Sequence, residues 1–188
     1  MSQQQLRDFV RVYDADLTDE LCDLMVDSFE SLSASHEPNG RGKRIGLERS
    51  LWTELNVTRL AEEDFLGHFR SKIDQALQRF NREVQLSLPV PNSPKLAELI
   101  LKRYQPGGSE LFQLHFDSIY EVSNRYLVFL WYLNDVTVGG ETYFPDLNLT
   151  ISAKRGRLLV FPPYWMFQHT GLPPTSGPKY ILSTYLVF

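Results

Sequence analysis

From Leu99 to Pro145 the chain reads LILKRYQPGGSELFQLHFDSIYEVSNRYLVFLWYLNDVTVGGETYFP. Within it, apolar residues recur at every second position in short runs, the period of a strand. Leu99–Tyr104, Leu111–Phe116, Tyr126–Leu133 and Glu141–Phe144 are predicted strands, divided by turns at Pro106-Gly107-Gly108 and Gly139-Gly140. The pattern continues through Leu149–Ile151, Arg157–Phe161, Met166–His169 and Tyr180–Val187, punctuated by Gly156, Pro162-Pro163 and Pro173-Pro174. About eight short strands with such turn signals predict an all-β sandwich or small barrel.

Upstream of Pro89-Val90-Pro91-Asn92-Ser93-Pro94 the period is helical. One helix is expected after Asp16, with Thr18 as cap and acids in the first turn. Its apolar face would be Leu21, Leu24, Met25, Ser28, Phe29 and Leu32. A second is expected from about Leu60 to Arg82, striped by Phe65, Phe69, Ile73, Leu77 and Phe80 and packed on a sheet. Between them His36-Glu37-Pro38-Asn39-Gly40-Arg41-Gly42-Lys43-Arg44 reads as a solvated, glycine-rich basic loop, a surface connection or a lid, with Trp52 packing at its rim. Residues 1–188 are thus expected to form one domain: 1–98 mostly helical support, 99–188 the β core.

Composition narrows the class. The 188 residues carry 23 acids against 19 bases, a net charge of -4, which argues against general nucleic-acid or anionic-membrane binding. Cys22 is the single cysteine, so no internal disulfide or thiolate metal cluster can form. The start Met1-Ser2-Gln3-Gln4-Gln5 has no secretory pattern and no apolar run suffices to span a membrane, so a cytoplasmic protein is expected. Of 24 aromatic residues only seven lie in the first 100. Taken singly, Phe129, Trp131 and Phe161 read as sheet core; together the aromatics would wall a site.

Four histidines are present. His36 and His68 read as solvated or core-edge residues. In Leu114-His115-Phe116-Asp117 the strand period turns His115 and Asp117 to one face, where an imidazole and a carboxylate can share a metal ion. Taken alone, the triplet is better read as a strand-end histidine paired with an aspartate. His169 adds a second imidazole, and Lys179 follows ten residues later at the start of the last strand. There Lys179, Ile181, Ser183 and Tyr185 share one face of a strand apolar on both sides. A lysine inside requires an anion, because an unpaired buried ammonium is costly; otherwise it snorkels out. A ligand carboxylate held by Lys179 and Ser183 would meet that need. Two histidines and one carboxylate suit Fe(II) with open positions, whereas a structural zinc site wants four closed ligands. A zinc hydrolase with the same three ligands is the alternative, and it explains the lysine less easily.

Five motifs now coincide: Arg103-Tyr104-Gln105-Pro106-Gly107, His115-Phe116-Asp117, Tyr132-Leu133-Asn134, Gly139-Gly140-Glu141-Thr142-Tyr143-Phe144-Pro145, and His169 followed by Lys179-Tyr180. In order and spacing they resemble the prolyl 4-hydroxylase-like branch of the Fe(II)/2-oxoglutarate dioxygenases. The resemblance implies a double-stranded β-helix (jelly roll) buttressed by N-terminal helices. It implies Fe(II) on His115, Asp117 and His169, and 2-oxoglutarate on Lys179 helped by Tyr104, Tyr132 and Ser183. O₂ would be the oxidant and ascorbate an auxiliary reductant. Asp117 fills the position that halogenating relatives leave open, so hydroxylation of an unactivated C–H bond is implied, with release of succinate and CO₂. The substrate would be a prolyl residue of a protein or peptide, or a small amino-acid-like molecule. Phe112 departs from the tyrosine that many relatives carry three residues before the first histidine, which weakens a direct transfer of prolyl specificity. The rival reading is a jelly-roll binding module without turnover. Oligomeric state is not legible.

Overall fold

A computed structural model describes residues 4–43, 46–93 and 95–188; Arg44 of the basic loop, Met1–Gln3 and Pro94 lie outside them. Two antiparallel sheets form the body. The larger contains β1 (Arg11–Tyr13), β2 (Glu37–Gly40), β3 (Leu51–Asn56), β4 (Ile100–Tyr104), β6 (Arg125–Tyr132), β9 (Leu158–Phe161) and β11 (Lys179–Val187), in the order β1-β9-β6-β11-β4-β3-β2. The smaller contains β5 (Phe112–His115), β7 (Thr142–Phe144), β8 (Leu149–Ile151) and β10 (His169–Gly171), in the order β5-β10-β7-β8. Helices α1 (Asp19–Ser31) and α3 (Glu63–Val84) pack on the outer face of the larger sheet, and α2 (Val57–Leu60) is one turn after β3. The architecture is the expected jelly roll with helical buttresses. No helix among the described residues is long and apolar enough to cross a membrane.

Alternation explains why the central strands are apolar on both faces. On β6, Leu127, Phe129 and Trp131 join the core under the helices, while Val128, Leu130 and Tyr132 join the core between the sheets. On β11, Tyr180, Leu182 and Leu186 face the helices and Ile181 and Tyr185 face the smaller sheet. Each side chain fully buried in this way contributes about 1.5–3 kcal/mol. Phe129 and Trp131 therefore belong to the helix side and wall no cavity; Phe161 lies between the sheets.

Several expectations need correction. The N-terminal half supplies three strands to the larger sheet, so it is more than helical support. The expected loop contains β2, an edge strand in register with β3 from Glu37↔Glu54 to Gly40↔Leu51. Pro38 is tolerated there because an edge strand needs no second ladder. His36 is no solvated residue: its ring stacks on Phe29 at 4.0 Å, and Nε2 lies 2.7 Å from the Phe29 carbonyl. Trp52 is 1% exposed, buried behind Phe112 and opposite Asn39 of β2. Thr18 does cap α1, accepting from the Leu21 amide at 3.3 Å. The buried face of α1 is Cys22, Met25 and Phe29, however, with Leu24 and Leu32 exposed. The helix expected from Leu60 breaks at Ala61 and resumes at Glu63. The strand expected at Met166–His169 starts at His169, after a 3₁₀ turn over Trp165–Phe167.

Two glycines secure these connections. Gly139 has φ +75°, and a Cβ there would lie 2.4 Å from the Pro173 carbonyl oxygen. Gly156 has φ +71°, and its Cβ would lie 2.5 Å from the Leu17 carbonyl oxygen, where its own carbonyl accepts from the Asp16 and Leu17 amides. Gly156→Ala is therefore expected to lower unfolding free energy by about 2 kcal/mol. A chemical-denaturation midpoint equal to wild type would refute that close approach.

Candidate active site

β5 ends at His115 and β10 begins at His169, and the two residues are direct partners in the antiparallel ladder. Asp117 follows two residues beyond His115, its amide and that of Ser118 both donating to the Pro163 carbonyl at 3.0 Å. The smaller sheet thus brings together two histidines distant in sequence, and the loop after β9 fixes the Asp117 backbone. One potential ligand atom from each of the three lies within 4.8 Å of the others. His115 Nε2 is 3.5 Å from Asp117 Oδ1, and His169 Nε2 is 3.5 Å from Asp117 Oδ2.

The protonation pattern follows from partners. His115 Nδ1 lies 2.7 Å from the Gln113 carbonyl and His169 Nδ1 lies 3.1 Å from the Phe167 carbonyl. A carbonyl only accepts, so each Nδ1 carries the hydrogen and each Nε2 presents a lone pair inward. Burial, then His115, pushes His169 down to about 4, leaving it neutral at pH 7. Burial pushes Asp117 up, yet neighbouring positive charge, Arg125 included, holds the carboxyl below the usual carboxylate range. Two lone pairs and an anion converge, and Asp117 Oδ2 has no hydrogen-bond partner among the described residues. Buried acceptors of which Asp117 Oδ2 meets no donor among the described residues call for a cation. The donor set fits Fe(II), and the carbonyl bonds to Nδ1 are the outer contacts that orient metal-binding histidines.

Beside the trio, one cavity is lined by Tyr104, Thr142, Lys179 and Ser183 as well as His115, Asp117 and His169. Lys179 is 3% exposed, and its ammonium makes no ion pair or hydrogen bond among the described residues; it lies 5.4 and 5.6 Å from the ring centres of Tyr104 and Tyr132. Burial pulls its pKa down to about 7, with Glu141 opposing. Ser183 Oγ, on the same face of β11, is likewise buried without a partner among the described residues. These groups fit a ligand carboxylate. Tyr132 does not line the cavity; its hydroxyl donates to Thr142 Oγ1 at 2.6 Å and so acts from behind.

Sequence reasoning missed three features. Phe112 stacks on His115 (3.8 Å, 26°) and on Trp52 (4.7 Å, 17°), so the ring that departs from the family pattern shields the first histidine. Tyr185 donates to Asp117 Oδ1. Arg125 covers the Tyr185 ring. The face of β11 pointed to Tyr185; its contact crosses between sheets and has no local signal. From Asp117 and Tyr185 a groove of about 590 Å³ runs outward past Lys102, Asn56, Glu54 and Glu37.

Residues 99–187 match the family described as the 2OG-Fe(II) oxygenase superfamily. A protein of Acanthamoeba polyphaga mimivirus named "Putative prolyl 4-hydroxylase" is 32% identical over 120 residues, 54% of this chain and 48% of that protein. The chain thus spans about half the length of the curated relative it matches. Two solved structures share the fold. The viral collagen prolyl hydroxylase of Paramecium Bursaria Chlorella virus-1, solved with 2OG, has a TM-score of 0.66 and 20% identity, covering 95% of both chains. A Trichoplax adhaerens prolyl hydroxylase, solved with a hypoxia inducible factor peptide fragment, has a TM-score of 0.76 and 15% identity, covering 96% of this chain and 84% of that one.

Proposed function

We propose that the protein, whose residues 99–187 match the 2OG-Fe(II) oxygenase superfamily, is an Fe(II)- and 2-oxoglutarate-dependent hydroxylase whose substrate is a prolyl residue in a peptide or protein. The observation that carries the reading is one cavity holding both a converging His115–Asp117–His169 trio and a buried, unpaired Lys179. A metal site alone would explain the trio, and only an anionic ligand beside it explains the lysine.

When bound, Fe(II) and 2-oxoglutarate supply the oxidising chemistry, consuming O₂ and releasing succinate and CO₂. The chain's own groups bind, orient and exclude. His115, Asp117 and His169 hold the metal through Nε2, a carboxylate oxygen and Nε2. Lys179 takes the distal carboxylate of the 2-oxo acid, and Ser183 donates its hydroxyl to the same group. Tyr104 forms a cavity wall beside the ammonium, and Tyr132 fixes the Thr142 hydroxyl that faces it. Phe112, Leu130, Phe161 and Ile181 leave water few partners near the trio.

The groove supports a peptide over a small metabolite, because about 590 Å³ of space adjoins Asp117 and is lined by polar and charged side chains such as Glu37, Glu54, Asn56 and Lys102. The mimivirus relative's name and the peptide in the Trichoplax structure agree with that choice. The test is anaerobic loading with Fe(II) and 2-oxoglutarate, then O₂ exposure with a panel of proline-containing peptides and free amino acids. One added oxygen on a prolyl peptide is the expected product by mass spectrometry. Oxygen gained only by a free amino acid would displace the peptide reading. No succinate with any candidate, and no thermal shift with Mn(II) plus 2-oxoglutarate, would favour a binding module.

A further inference from the structure

We infer that Tyr185 is a positioning residue for the metal site: its hydroxyl holds one oxygen of Asp117 so that the carboxylate offers the other, singly, to the ion. The inference rests on the reading of His115, Asp117 and His169 as metal ligands. Tyr185 stands on β11, facing between the sheets, and donates to Asp117 Oδ1 at 3.0 Å. Oδ2, buried beside His169 Nε2, accepts no hydrogen bond among the described residues. The two oxygens of one carboxylate are thereby made chemically different.

The surroundings leave the carboxylate little other control. The Asp117 backbone is held by the Pro163 carbonyl on one side, and its own carbonyl is met by Arg125 Nη1 at 3.5 Å. What remains soft is rotation of the carboxylate about its last bond, a broad torsion for aspartate. The Tyr185 hydroxyl sets that rotation. Its ring is held in turn by the Arg125 guanidinium, centred 3.9 Å above it. β11 and β6 carry the two residues as paired strands, with Tyr185 opposite Val128. A freely rotating carboxylate can chelate an ion through both oxygens and occupy a position the 2-oxo acid or dioxygen needs. With Oδ1 engaged, that mode is disfavoured.

Tyr185→Phe keeps the ring and the cation over it and removes only the donor. Mn(II) affinity, measured by titration calorimetry on the full chain, should fall about tenfold or more, the usual cost of losing an outer contact to a metal ligand. The visible spectrum of the Co(II)-loaded protein should change with it, while the metal-free thermal midpoint stays close to wild type. A purely structural role would move the midpoint and leave the spectrum alone. Unchanged or tighter Mn(II) binding with an unchanged Co(II) spectrum would overturn the inference. Should Tyr185→Phe not fold, Arg125→Met loosens the ring but keeps the hydroxyl, and a roughly threefold loss of Mn(II) affinity is expected; no loss would overturn it. Wild-type protein that binds Mn(II) and then fails to bind 2-oxoglutarate sinks the hydroxylase reading alone. Wild-type protein that binds no Mn(II) sinks both.

Discussion

His169→Ala is expected to lower metal-dependent succinate release from 2-oxoglutarate by about 10³-fold or more, and to erase the thermal shift that Mn(II) gives the wild-type protein. The imidazole is 5% exposed and sits on the first residue of β10, opposite His115. Its Nδ1–H is taken by the Phe167 carbonyl, so its lone pair is committed to the centre of the trio. No neighbouring donor can replace it, because the ring is enclosed by Phe161 at 4.8 Å and Phe144 at 5.3 Å. A metal's charge stabilisation is worth several kcal/mol, and each 1.36 kcal/mol is a factor of ten in rate. Metal that binds only the folded state stabilises by mass action, so the variant loses that increment too. Succinate release within tenfold of wild type would remove His169 from the site.

Lys179→Ala is expected to weaken 2-oxoglutarate binding about 10²-fold while leaving Mn(II) affinity intact. A hydrogen bond to a charged partner in a buried setting is worth about 1.5–3 kcal/mol, and 1.4 kcal/mol is tenfold in affinity. The ammonium also predicts a pH dependence. Burial brings its pKa to about 7 in the ligand-free protein, and a bound carboxylate would raise it again. Below that value the amine is already charged and affinity should be flat with respect to this group. Above it, binding must take up a proton, so affinity falls as pH rises, at most tenfold per unit. Calorimetry at pH 8 in buffers of different ionisation enthalpy measures that uptake directly. The ligand-free fold responds oppositely. Between about 7 and the ordinary lysine range near 10.5 the unfolded chain holds a proton the folded chain has released, so stability rises with pH across that window. Equal 2-oxoglutarate affinity in wild type and Lys179→Ala would refute the anchor.

How much of this was legible depended on whether the cause was local. β4, β6, β9 and β11 are legible because they are short runs rich in branched and aromatic residues bounded by glycine, proline and other turn signals. β2, with the sequence Glu-Pro-Asn-Gly, carries no strand signal; pairing with β3 alone makes it a strand. β1 is three residues long and is likewise held by its neighbour β9. His115 and Asp117 were readable as an i, i+2 pair, and Lys179 and Ser183 as one face of β11. Trp52 was misplaced because nothing in its surroundings reveals that Phe112, 60 residues on, would cover it. The Tyr132 hydroxyl donates to Thr142 Oγ1, a pairing across ten residues that no local pattern announces.

β11 has one more consequence. It is bonded to β4 from Lys179↔Tyr104 to Ser183↔Ile100 on one side and to β6 from Ile181↔Tyr132 to Val187↔Arg125 on the other. Such a strand cannot slide without breaking two ladders at once. Lys179, Ser183 and Tyr185 therefore stand at fixed intervals, like marks on a calliper whose other jaw is the pair of histidines on the smaller sheet. On the proposed reading the site would select a 2-oxo diacid by length as well as by charge, and a diacid one methylene shorter would be expected to leave the Lys179 ammonium unpaired.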